Sequence, residues 1–214
     1  MVGNPPPRRI QLLTLSLPRA NIIDYADVLE RMRADGFESL YHNSGAFGFP
    51  GQVSPRHVGW IGPPDPTIRP AATAFTRQIP PPFEQNLAQL ATRAWRELVP
   101  GPVWVMPKSH WAYELDFGSS RWMPRLLEEL GLDPASLHTR HDGTALEFHP
   151  QHTDAFSGFL AGLLGNLIGS DFALAFPGRP VVCSVHHHKQ LWWSTTDDRV
   201  HAALDAIVPV QKIT

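Results

Sequence analysis

Near the end of the chain the segment CSVHHHKQLWWSTTDD, residues 183–198, sets three consecutive histidines beside two tryptophans. Imidazole is a common zinc ligand, and structural zinc sites take four nitrogen or sulfur donors in a tetrahedron. His186 and His188 have the H-x-H spacing that puts two rings on one side of a strand, because strand side chains alternate between faces. A second pair, His149 and His152, has H-x-x-H spacing at the head of a long apolar run, with Asp154 close by. Together the four histidines could hold zinc or another divalent metal, with Glu114 as the general base of a metal-dependent hydrolase. Asp116 follows Glu114 by two positions and would share its side of a strand; paired carboxylates can divide acid and base roles when burial separates their pKa values.

The same residues also read as a non-catalytic binding surface that needs no cofactor, and local geometry favours this reading. A hairpin turn over His187–Gln190 puts His188 in the turn, whereas the metal reading needs it in the strand. His149 precedes Pro150, which pushes it to extended backbone and weakens a shared helical face with His152. With turns at Pro177-Gly178 and at the histidines, residues 171–196 form a three-stranded meander. Phe176 is then expected opposite Val181 and Val185 opposite Trp192. One face would carry Phe172, Leu174, Phe176, Val181, Cys183, Val185 and Trp192. The other, mixed face would carry Ser184, His186, Leu191, Trp193 and Thr195. Exposed aromatic groups anchor ligands and partners, so His110, Trp111, His186, His188 and Trp193 are the expected contacts for a protein or small-molecule ligand. A homodimer pairing through this face is a third possibility.

The elements that must position these residues follow from periodicity. Residues 9–17 and 37–42 are expected as strands flanking a helix that starts at Asn21 as N-cap and ends at Gly36. Residues 103–117 and 144–148 read as further strands, with His110, Glu114 and Asp116 on or near the first. Helices are expected over 83–98, from about Trp122 to Gly131, and from Asp197 or Asp198 onward. The run from His149 to Asp171 is the central core helix, whose glycines at 158, 162 and 165 imply close packing on a sheet. Residues 43–82 form a Gly/Pro-rich excursion within one domain, with HVGWIG as a short strand inside it. The result is an α+β fold: a mostly antiparallel sheet with helices chiefly on one face, ending in the meander and a short helix.

Composition narrows the classes. The 214 residues are 43% hydrophobic, enough to bury roughly 70% of the unfolded surface. Eighteen basic against twenty acidic residues leave a net charge of -2 without a block of either sign, so neither nucleic acid nor a membrane surface is an expected partner. The single cysteine, Cys183, allows no internal disulfide framework and fits a cytoplasmic protein; on the apolar face it is expected to be an inert buried thiol. No run reaches the roughly 18 apolar residues of a membrane helix. The glycines of NSGAFGFPG lack the Lys-Ser/Thr of a phosphate loop, and no G-x-S-x-G elbow occurs.

Overall fold

The computed structural model describes residues 17–40, 46–68, 72, 74–116 and 121–207. In chain order the strands are β1 (Asn21–Ile23), β2 (Glu38–Ser39), β3 (Phe47–Gly48), β4 (Arg56–Ile61), β5 (Thr76–Gln78), β6 (Val103–Pro107), β7 (Ala145–Phe148), β8 (Phe172–Ala175), β9 (Val181–His186) and β10 (Gln190–Thr195). The helices are α1 (Tyr25–Ala34), α2 (Phe83–Leu98), α3 (Trp111–Asp116), α4 (Trp122–Glu129), α5 (Pro134–His138), α6 (Thr153–Asn166) and α7 (Asp198–Ile207). Eight strands form one sheet in the order β1-β7-β6-β8-β9-β10-β4-β5, antiparallel except between β4 and β5. A separate two-stranded sheet pairs β2 with β3. This is the expected α+β architecture.

One sheet face is the main core. Leu87, Ala91 and Trp95 of α2, Trp111 of α3, Met123 and Leu127 of α4, Leu137 of α5, Phe156 and Leu160 of α6 and Leu204 of α7 bury against Val105, Leu174, Cys183, Val185, Leu191 and Trp193. The opposite face is covered over β6–β8 by Val28 and Met32 of α1 and Phe47 of β3, which pack on Trp104, Met106, Ala173 and Ala175. Burial of this size drives the fold through apolar area removed from water. In α6 only Gly162 has a close neighbour where a Cβ would sit. One built there would stand 2.6 Å from Leu126 Cδ1, so the tight neighbour is helix α4 and not the sheet.

Several segments depart from the sequence expectation. The strand expected at 9–17 lies outside the described residues apart from Leu17. Asn21 is not a helix cap: Asn21–Ile23 pairs antiparallel with β7, the β-branched Ile22-Ile23 pair suiting an extended edge. Asp24, extended at φ -68 and ψ 148, precedes the helix instead. Of 37–42, Glu38–Ser39 joins the small sheet, and 41–42 lie outside the described residues. Residues 103–117 do not form one strand. The strand stops at Pro107, and Trp111, Glu114 and Leu115 are buried at helical spacing in α3. The Gly/Pro-rich segment supplies three strands where one was expected: β3 of the small sheet, and β4 and β5 at the edge of the large one.

The meander is correct in its first turn and displaced by one residue in its second. Leu174 faces Cys183 and Ala175 faces Val182, the register set by Pro177-Gly178 with Gly178 at φ +82. Across the histidine turn, however, Val185 faces Leu191 and Trp192 faces Ser184. The loop is three residues, His187–Lys189; Lys189 N–H donates to the His186 carbonyl at 3.1 Å, and Lys189 takes φ +58. A three-residue hairpin of this kind combines a type I turn with one left-handed residue. Because side chains alternate with period two, this slip exchanges the faces of β10. Trp193, 1% exposed, enters the core, 5.7 Å from Phe176 and 5.2 Å from Trp60 between ring centroids. Trp192 turns to the mixed face.

Candidate functional site

The histidine turn sits at the end of the sheet where β8 begins and β9 ends. His186 is the last residue of β9, and His187 and His188 occupy the loop. Their rings cluster, with centroids 4.2 Å apart for His186–His187, 4.4 Å for His187–His188 and 5.0 Å for His186–His188. One nitrogen from each lies within 4.8 Å of the others. Burial lowers the pKa of His186, against the pull of the Asp171 carboxylate that favours its charged form.

Two carboxylates hold the cluster. Asp171 Oδ1 accepts from the His187 backbone N–H at 3.2 Å and from its Nδ1 at 3.0 Å, and lies 4.0 Å from His186 Nε2. Asp65 accepts from His188 Nδ1 at 2.8 Å, from Gln190 Nε2 at 2.6 Å and from Thr67 N–H at 2.9 Å and its hydroxyl at 2.6 Å. The Thr67 bonds, foremost among these donors, hold the Asp65 carboxyl well below the usual carboxylate range. Gln190 in turn accepts from Trp192 Nε1 at 2.8 Å, so Asp65 ties the 62–68 segment to the turn and to Trp192. Lys189 of the turn pairs with Glu84 of α2. Lys108 donates to Ser184 on the same face as His186, and burial pulls its pKa down while Asp171 opposes the shift.

Trp192 forms the floor of an open groove of about 410 Å³ between the turn and residues Asp65, Thr67, Ile68 and Ala72, with His186 on its other side. The ring lies over Gly59, where an added Cβ would come within 2.7 Å of Cζ3. Phe75 contacts it edge-on at 6.3 Å. Absence of a side chain at 59 therefore lets the indole lie flat on β4.

The sequence-derived candidates divide sharply. His186 and His188 converge, joined by His187. His149 and His152 do not join them. His149 follows Phe148, which faces Val103 at the opposite end of the sheet, about 20 Å from the turn by strand spacing and rise. His149 bonds Glu147 at 2.9 Å and lies 3.3 Å from Asn21 Nδ2. The four-histidine metal set is thus overturned by strand order. His110 is exposed and bonds Asp142 at 2.8 Å. Trp111 and Trp193 are buried, the former donating to the Thr144 carbonyl at 2.7 Å, and neither offers a contact surface. Cys183 is buried, as expected, and burial pushes its thiol pKa up.

Glu114 and Asp116, placed on helix α3 and not on a strand, face different environments. Asp116 is at the surface, 3.0 Å from His138 Nε2. Glu114 is 2% exposed, and both its oxygens accept hydroxyls, from Ser109 at 2.6 Å and Ser170 at 3.2 Å. It has no open side from which to act as a base.

Burial raises the Glu114 pKa, the serine bonds pull it down and Asp171 pushes it further up. With the folded value above the ordinary 4.5, the native state binds more protons than the unfolded chain as pH rises from there, so stability falls through that window. Below it both states are protonated and the full stability is present. Urea denaturation from about pH 4.5 upward should show this decline in the wild type. Subtracting the curve of Glu114→Gln, which cannot ionise, should isolate it, and parallel curves would contradict the assignment.

Comparison with protein-family models, curated proteins and solved structures finds no match to this chain. Among the residues missed by sequence, Asp171 was within reach: the Pro177-Gly178 register, extended by one, sets it opposite His186. Asp65 could be read as a turn residue before Pro66 and Thr67, but its partners lie 123 and 125 positions away.

Proposed function

We propose that the protein is a non-catalytic binding domain that takes a small-molecule ligand in the groove between the histidine turn and residues Asp65, Thr67, Ile68 and Ala72. The observation that carries this reading is the Trp192 indole, fixed by Gly59 and Gln190 at the floor of a groove with polar walls. An immobilised aromatic surface costs little conformational entropy on binding, and surrounding imidazoles, a hydroxyl and a carboxamide supply orientation. A flat, uncharged ring suits the floor, because Asp65 and Asp171 already have their donors. Binding is favoured over hydrolysis because Glu114 is sealed by two serines. Among the described residues no helix is long and apolar enough to cross a membrane; together with the buried, unpaired Cys183 this fits a cytoplasmic setting.

Ligand-observed NMR of a fragment library, followed by mapping on the labelled protein, tests the reading. Binders should shift the Trp192 indole N–H and the His186–His188 signals together. Trp192→Ala should abolish those shifts, and Gly59→Ala, which forces the ring to tilt, should weaken binding at least about tenfold. Binders that map only elsewhere, or an absence of binders, would count against it. A solution mass of twice 23.8 kDa by light scattering, lost on changing Trp192, would transfer the face to self-association.

A further inference from the structure

We infer that the histidine turn is a built site for one divalent transition-metal ion of the zinc, nickel or copper class, with His187 and His188 as principal ligands through Nε2 and His186 as the third. The inference rests on the reading of this groove as the ligand site and names an ion that it would hold at its rim.

The tautomers of the three rings decide which nitrogens are free. A carboxylate can only accept, so the bonds from His187 Nδ1 to Asp171 at 3.0 Å and from His188 Nδ1 to Asp65 at 2.8 Å place the proton on Nδ1 in each ring. The lone pair of each neutral ring is then on Nε2. A carboxylate behind the distal nitrogen is the arrangement that orients a metal-binding imidazole and raises its basicity. His186 differs: its Nδ1 accepts the His188 backbone N–H at 3.2 Å, which leaves its proton on Nε2, 4.0 Å from Asp171. It can ligate only by giving up the backbone bond. One ring nitrogen of each histidine lies within 4.8 Å of the other two, whereas tetrahedral coordination at about 2.0–2.1 Å needs the donors about 3.4 Å apart. Binding therefore requires the rings to rotate toward the ion, and the exposed His188 has the most room to do so. Imidazole donors select the zinc, nickel and copper class over magnesium or calcium.

Untagged full-length protein titrated with zinc chloride by calorimetry, and with cobalt(II) by absorption spectroscopy, tests this. About one ion per chain is expected, with cobalt giving the intense visible bands of tetrahedral nitrogen coordination. His187→Ala and His188→Ala should each weaken zinc binding by more than His186→Ala does. Asp171→Ala, with folding checked by circular dichroism, should weaken it about 10- to 100-fold although it removes no ligand. A flexible histidine tract would respond equally to the three alanines and would ignore Asp171; that pattern, or no zinc binding, would overturn the inference. Zinc binding without organic ligands in the groove would reject only the small-molecule reading, and organic ligands without zinc would reject only the ion.

Discussion

Trp193→Ala should destabilise the fold by about 3–5 kcal/mol, and Trp192→Ala by no more than about half of that, although the two residues are adjacent and identical. Trp193 is 1% exposed and wedged between Phe176 and Trp60. Alanine there leaves a cavity in the main core, which the surrounding sheet and helices cannot collapse to fill. Trp192 is half-buried, so its truncation removes one hydrogen bond, to Gln190, and only part of an apolar surface. A further variant sharpens the test. The Trp193 indole N–H has no hydrogen-bond partner among the described residues, so Trp193→Phe keeps most of the packing and discards an unsatisfied donor. It should cost much less than Trp193→Ala. Midpoints of urea unfolding for the three variants measure the order, and a larger loss for Trp192→Ala than for Trp193→Ala would mean that the sheet presents the opposite face.

Asp65→Ala should have the next largest effect, about 2–3 kcal/mol together with release of the 62–68 segment from the histidine turn. Four donors converge on this carboxylate: Thr67 twice, His188 and Gln190. Removing the acceptor strands all of them, and the loss of the Gln190 anchor also frees the Trp192 ring. Asp65→Asn should fall between, because its amide oxygen can still accept from Thr67 while its NH₂ cannot accept from His188 or Gln190. Hydrogen exchange at the Thr67 amide reports the local release, and urea unfolding reports the global cost. If Thr67 exchanges no faster in Asp65→Ala than in the wild type, the carboxylate does not hold the segment.

Where the fold departs from local sequence pattern, tertiary burial or loop length decides. Trp111–Asp116 could be read as a strand because Trp, Tyr and alternating acids suit a sheet edge; the helix prevails because Trp111, Glu114 and Leu115 bury together, a tertiary choice that overrides a short segment's propensity. The second turn of the meander was ambiguous for a different reason. His187, His188 and Lys189 carry no Pro or Gly to mark a turn type, and a lysine in the left-handed region is not announced by its residue type. One residue of loop length then decides which tryptophan is inside.

What the sequence determined by itself was local: the amphipathic helices at 83–98 and 122–129, the Pro177-Gly178 hairpin with its register, and an antiparallel sheet with helices chiefly on one side. Periodicity and turn chemistry act over a few residues, so they are legible there. What only the tertiary structure decided was the company each polar group keeps. Strand order sends His149 to the far end of the sheet from His186, buries Glu114 between two serines, and brings Asp65 and Asp171 to the histidine turn. The Asp65 contacts join residues more than a hundred positions apart, which no spacing along the chain encodes; Asp171 reaches the turn through the hairpin register, but the donors it meets there depend on the length of the histidine loop.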